Sequence, residues 1–229
     1  IRGDVLKMTN NPWVIRPALI CEKLNVDRYT LVNDFGAVAH AVQHCDTASF
    51  SHLSGPGGDL PDTGIITVIG PGTGLGVAYV VRAANSYRAV ETEGGHVDYA
   101  PLDTTEDAIL TRLRRQHRRV SVERVCSGPG LAAIYETLAS IEGRAVVSME
   151  DKALWQLALS GEDSLAAAAF DRFCLSLGAA AGDFALAQGA RAVTDLILGF
   201  FAQFRHGCVP LGHIKQGVVT KTVPAAFCV

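Results

Sequence analysis

Three stretches of the chain combine side chains and backbone shapes suited to chemistry. The first is Gly70-Pro71-Gly72-Thr73-Gly74-Leu75-Gly76, set between the β-branched runs 65–69 and 77–81. Glycines let a backbone approach a ligand closely, and successive amides in such a turn form a nest for an anion. The pattern predicts strand, turn, strand, with the turn facing phosphate. The spacing Gly72-x-Gly74-x-Gly76 is not the dinucleotide fingerprint, and a Walker Gly-Lys-Ser/Thr is absent. The same glycines also fit a tight hairpin that uses them for twist alone. The second stretch, Glu93-Gly94-Gly95-His96-Val97-Asp98, packs three polar groups around two glycines and is expected to face a polar substrate. The third is Asn33-Asp34. Residues 29–32 read as a short strand and 35–44 as a helix, so the polar pair falls where strand ends meet a cleft. Asp34 fits a helix N-cap equally well. His40 and His44 stand four residues apart on that helix, but the Glu of a zincin motif is missing and no metal site is assigned.

The elements that must position these groups follow from periodicity. Residues 15–24 have a helical pattern, and 51–63, rich in Gly, Pro, Ser and Asp, read as a surface loop. Thr104-Thr105-Glu106-Asp107 is a helix start with acids in its first turn, and that helix is expected to run to about residue 119. After 120–125 comes Ser127-Gly128-Pro129-Gly130, then a helix over 131–140 and a connector over 143–151. Residues 164–186 form a long Ala-rich helix with apolar residues at three- and four-residue steps. The tail 196–229 contains no Asp or Glu and shows no clear period.

A length of 229 residues suits one large domain or two modest ones. The formal net charge of −3 argues against a nucleic-acid binder. The cluster Arg112, Arg114, Arg115, His117, Arg118 and Arg119 reads as a solvated helical face. The six cysteines have wide, irregular spacing without Cys-x-x-Cys, which excludes a zinc pattern and a small disulfide scaffold. Reduced, mostly buried thiols and a cytoplasmic location are expected. No apolar run is expected to span a bilayer, and no membrane partner is assigned.

Taken in order, LVNDFGAVAHA, GPGTGLGVA, EGGHVDYAP and VSVERVCSGPGLAAIYE resemble the bacterial glucokinase family, ATP-dependent hexose kinases. The resemblance covers about residues 3–192. It implies an α/β chain with an incomplete actin-like ATPase (ribonuclease H-like) sugar kinase fold. It implies Asp34 as the catalytic base, with Asn33, Glu93, His96 and Glu123 binding the hydroxyls of glucose. It implies Gly72, Thr73 and Gly74 against the phosphates of ATP, with Mg²⁺ as the accompanying ion; a homodimer stays open. The physics agrees: each sugar hydroxyl is both donor and acceptor and asks for carboxylates, amides and imidazoles. Phosphoryl transfer depends chiefly on positioning and charge stabilisation.

Two departures accompany the resemblance. The family's opening Asp-x-Gly-Gly-Thr type phosphate motif is not matched by Ile1-Arg2-Gly3-Asp4. The Ala-Gly-Gly adenosine turn expected after 189–193 is not found, and the loss of acids beyond fits a divergent end or a shifted frame. The expected organisation is a remnant of the small lobe and hinge over 1–45, a large lobe with the sugar site over 46–193, and a divergent or disordered tail over 194–229. The alternatives are a catalytically silent sugar-binding or regulatory relative, an inactive gene fragment, or a generic α/β domain.

Overall fold

The computed structural model describes residues 4–7, 12–55, 58–146, 149–195 and 219–222. A two-residue ladder joins β1 (Leu6–Lys7) to β2 (Val14–Ile15). Pro17–Leu19 makes a 3₁₀ turn that leads into α1 (Ile20–Leu24), which Asn25 ends in the left-handed region at φ 53°. Helix α2 (Asp34–Val42) follows, then β3 (Ser51–Ser54), β4 (Gly64–Pro71), β5 (Leu75–Ala83) and β6 (Ser86–Thr92). Four helices come next: α3 (Thr104–Arg114), α4 (Gly128–Ile141), α5 (Asp151–Ser160) and α6 (Ser164–Gln188). The last strands are β7 (Ala190–Asp195) and β8 (Val219–Thr222).

Six strands form one mixed sheet in the order β3-β8-β7-β4-β5-β6. β4 and β5 pair antiparallel from Gly64↔Arg82 to Pro71↔Leu75, and β7 lies parallel to β4 with Ile69 opposite Asp195. Side chains alternate across a strand. Ile66 and Val68 of β4, with Ala78 and Val80 of β5, join Ala39 and Val42 of α2 in a small core on one face. Ile69 and Val77 point the other way, into the larger core that α3, α4, α5 and α6 supply. The sheet is thus covered on both faces, which is why β4 reads as a nearly continuous apolar run. The boundary expected at residue 45 falls inside this packing, because α2 shares its core with β4 and β5.

Several local expectations change. Residues 28–33 form no strand: Tyr29 and Val32 are exposed, and among the described residues no strand offers ladder partners there. The stretch read as a loop over 51–63 opens with β3, and β6 was not anticipated at all. Helix α3 stops at Arg114, ahead of the Arg-rich turn. Within the tail, Thr194 and Asp195 complete β7 and Val219–Thr222 forms β8; residues 196–218 and 223–229 lie outside the described residues. Helix α6 is long and apolar enough to cross a membrane by length and composition, contrary to the expectation. However, 67% of its apolar window is buried in this fold, where Phe173 and Leu177 join the larger core.

Asp195 closes β7 with its carboxyl buried, and Oδ1 has no hydrogen-bond partner among the described residues. Burial disfavours the charged form and pushes the pKa from 3.8 up to about 7. A folded-state pKa above the unfolded one means that the proton is held more tightly in the fold. The group's contribution to stability is therefore intact below about pH 3.8, declines as pH rises, and is lost above about pH 7. Asp195→Asn removes this titration. Its stability relative to the parent chain should be greater at pH 8 than at pH 5 by roughly 2–3 kcal/mol, from about 1.4 kcal/mol per pKa unit. Urea unfolding at the two pH values measures this, and an equal difference at both would rule out Asp195 as the titrating group.

Candidate functional site

The polar pair 33–34 opens α2. Asn33, not Asp34, is the N-cap: its Oδ1 accepts from the Phe35 amide at 2.9 Å and the Gly36 amide at 3.2 Å. An amide side chain in the cap position satisfies helix donors that have no partner inside the helix. Asp34 occupies the first helical position. It is exposed, and its Oδ1 also accepts from the Phe35 amide, at 2.8 Å. The backbone amide of Asn33 donates to Glu91 Oε1 at 3.0 Å.

Glu93, His96 and Glu123 meet on the other side of the β4–β5 turn. His96 Nε2 lies 3.6 Å from Glu123 Oε1, and its Nδ1 lies 4.0 Å from Glu93 Oε2. These contacts become ion pairs when the imidazole is protonated. Glu93 and His96 are exposed, whereas the Glu123 side chain is 27% exposed. What joins positions 93–96 to 123 is a short backbone pairing. Asp98 bridges to Ser121, Val122 donates to the Val97 carbonyl at 2.9 Å, and Tyr99 donates to the Val120 carbonyl at 3.0 Å. The Asp98 carboxylate pairs with Arg119. One residue of the expected basic face is therefore held beside this segment.

The glycine turn links the two groups, and two of its glycines, Gly74 and Gly76, are needed for protein contacts. A side chain at Gly76 would overlap the Phe35 ring, and one at Gly74 would overlap the Glu123 carboxylate. A side chain at Gly95 would overlap the Leu75 carbonyl. Glu123 Oε2 accepts from the Leu75 amide at 3.0 Å. Within the turn, the Gly72 amide donates to the Gly74 carbonyl at 2.8 Å, and the Gly72 carbonyl accepts from Gly128 at 2.8 Å, where α4 begins. The amides of Gly72 and Leu75 are therefore engaged within the protein. Gly72 has open space around it, and Thr73 is exposed.

The arrangement brings Asn33 and Asp34 to one side of residues 75–77, and Glu93, His96 and Glu123 to the other. Glu91 was missed. The available signal was the alternation along β6, which puts Glu91 two residues before Glu93 on a strand. Among the described residues no group of three or more His, Cys, Asp or Glu could hold a metal ion. Mg²⁺ fits this site only as an ion carried by nucleotide phosphates and water, which is its usual mode of binding.

The family described as Glucokinase matches residues 1–196. The chain belongs to the glucokinase family. A glucokinase of Zymomonas mobilis subsp. mobilis is 61% identical over 199 residues, covering 87% of this chain and 60% of that protein. One of Hahella chejuensis is 37% identical over 190 residues, covering 83% of this chain and 58% of that protein. The chain thus spans about 60% of the length of these two curated relatives. In three dimensions it resembles a crystal structure of glucokinase from an Antarctic psychrotroph. The TM-score is 0.76 at 29% identity, with 97% of this chain and 72% of that chain covered. The fold of this glucokinase-family chain is the actin-like ATPase fold.

Gly72 and Gly76 should respond differently to a methyl group. Gly76→Ala drives a Cβ into the Phe35 ring and should destabilise the chain by about 1–3 kcal/mol, the usual cost of overpacking. Gly72→Ala meets open space and a φ outside the left-handed region, and should cost less than about 0.5 kcal/mol. Thermal or urea unfolding of both variants checks the contrast. Equal losses would mean that Phe35 is not seated on Gly76.

Proposed function

We propose that this chain carries the sugar site of a glucokinase and directs phosphoryl transfer from ATP to glucose. The observation that supports it most is the gathering of polar groups from three separate segments, at 33–34, 93–96 and 123, around the turn end of one glycine hairpin. Asn33, Glu93, His96 and Glu123 offer hydrogen bonds to the sugar hydroxyls. An exposed carboxylate at Asp34 accepts the proton of the attacking hydroxyl. As the new O–P bond forms, the bond from the γ-phosphorus to the bridging oxygen breaks and ADP leaves. The amides of Thr73 and Gly74 face the phosphates, since the Gly72 and Leu75 amides are engaged within the protein. Mg²⁺ travels with ATP and neutralises phosphate charge. We place the enzyme in the cytoplasm, without a nucleic-acid or membrane partner; sedimentation reads directly whether it pairs as a homodimer.

A second reading is sugar binding without turnover. The engagement of the Gly72 and Leu75 amides favours it, because it leaves fewer donors for a γ-phosphate. Calorimetry with glucose, followed by ADP production with glucose and Mg-ATP, separates the two. Binding with ADP release supports the kinase, binding alone supports the silent relative, and neither overturns the sugar site.

Asp34→Asn should lower kcat by about 10²–10⁴-fold, the usual contribution of a general base. The glucose Kd should stay within a small factor, because the amide keeps the shape and an acceptor oxygen. A variant with near-normal kcat would remove Asp34 from the proton transfer.

A further inference from the structure

We propose that Glu91 is a positioning residue, which fixes the turn that carries Asp34 and so holds the carboxylate in line for the reaction. This rests on the reading of Asp34 as the base. Alternation puts Tyr87, Ala89 and Glu91 on one face of β6. From the cap Asn33, Gly36 and His40 follow at three- and four-residue steps along one face of α2, and His44 stands four residues further on, in the turn after the helix. The two faces meet along their length. At one end the Tyr87 hydroxyl lies 3.2 Å from His40 Nδ1 and 3.0 Å from His44 Nε2. Both imidazole rings stand edge-on to the phenol, with centroids 5.6 and 5.7 Å away. In the middle, Ala89 packs against the small core that α2 shares with the sheet. At the other end Glu91 Oε1 accepts from the Asn33 amide, and its carboxyl fills the place where a Cβ on residue 36 would stand.

Asn33 is thereby held twice. Its side chain closes on the amides of Phe35 and Gly36, and its own amide is held by a different strand. A capping box closes the same donor with a residue of the same helix; here the acceptor comes from β6. The peptide between Val32 and Asn33 cannot swing without losing the bond to Glu91. The next peptide, which leads to Asp34, is held through the Asn33 carbonyl by the Ala37 amide at 2.9 Å. The Tyr87 contacts oppose sliding of α2 along the strand. Gly36 is explained by the same contact, since a side chain there would displace the Glu91 carboxylate. Glu91 is exposed, so removing it leaves no cavity, and its effect can be read without unfolding the chain.

The test uses the 229-residue chain and the variants Glu91→Ala, Glu91→Gln and Tyr87→Phe. Amide hydrogen exchange followed by NMR reads the anchor directly. The Asn33 amide should exchange about 10-fold faster or more in Glu91→Ala, as a locally opened site does. It should be unchanged in Glu91→Gln, whose side-chain oxygen accepts the same bond. In steady-state phosphorylation of glucose, Glu91→Ala should lower kcat about 10-fold or more with KM for glucose held within about two-fold, the signature of lost alignment. Glu91→Gln should restore kcat, and Tyr87→Phe should lower it in the same direction. Unaltered Asn33 exchange in Glu91→Ala overturns the proposal. So does a fall in kcat that Glu91→Gln fails to restore, or a rise in KM at constant kcat. A parent chain without turnover overturns the kinase reading and with it the catalytic consequence, while the exchange measurement still decides whether Glu91 holds Asn33.

Discussion

The backbone of Leu75 is the joint on which the candidate site depends. Its amide donates to Glu123 and its carbonyl presses against Gly95, so one residue at the turn end of the β4–β5 hairpin positions both. Its neighbours extend the joint: Gly76 receives the Phe35 ring, and Val77 lies against Gly94. Three segments far apart in sequence therefore touch three consecutive residues. At Gly74, Gly76, Gly94 and Gly95 the approach is close enough that a side chain would overlap its neighbour. Most of the glycine richness is thus explained by packing between motifs, and the open position at Gly72 is the exception.

A second set of contacts stiffens the segment that follows His96. Glu106 is buried at the start of α3 and accepts from the Leu102 amide at 2.7 Å and from Ser176 at 3.1 Å. Ser176 also meets the Tyr99 hydroxyl at 3.1 Å, and Arg172 reaches both Asp103 and Glu106. A buried carboxylate is tolerable when its acceptor capacity is met in this way. Burial raises the Tyr99 hydroxyl pKa, which keeps that group a neutral hydrogen-bonding partner. The network ties the loop at 99–103 to α6, and the backbone pairing at 97–99 carries that rigidity to His96 and Glu123. Asp195 is the contrast within the same fold, since its Oδ1 finds no partner among the described residues.

Much of this could be read in the chain. The hairpin at 64–83, the start of α3, most of α4 and the length of α6 follow from β-branching, capping residues and apolar period, which are local properties; α4 begins three residues earlier than expected, at Gly128, with Ser127 as its cap. The series of four motifs led to the family before any geometry was known. What local sequence could not supply was partnership. Residues 29–32 have strand-like composition but form no ladder among the described residues, whereas β8, with β-branched Val219, Thr220 and Thr222 in a tail without a clear period, lies between β3 and β7. Strand formation depends on edges offered by other segments, which propensity does not record.

The candidate site divides along the same line. Residue types and order by themselves determined which groups could do chemistry: Asn33, Asp34, Glu93, His96 and Glu123, with a glycine turn between them. Only the tertiary structure decided that Asn33 rather than Asp34 caps α2, that the Gly72 and Leu75 amides are already engaged, and that Glu91 holds the Asn33 amide. Each of these is a hydrogen bond whose partner is chosen by distance in space. A sequence states what a group can donate or accept; which partner it meets depends on how the hairpin, β6 and α2 pack together.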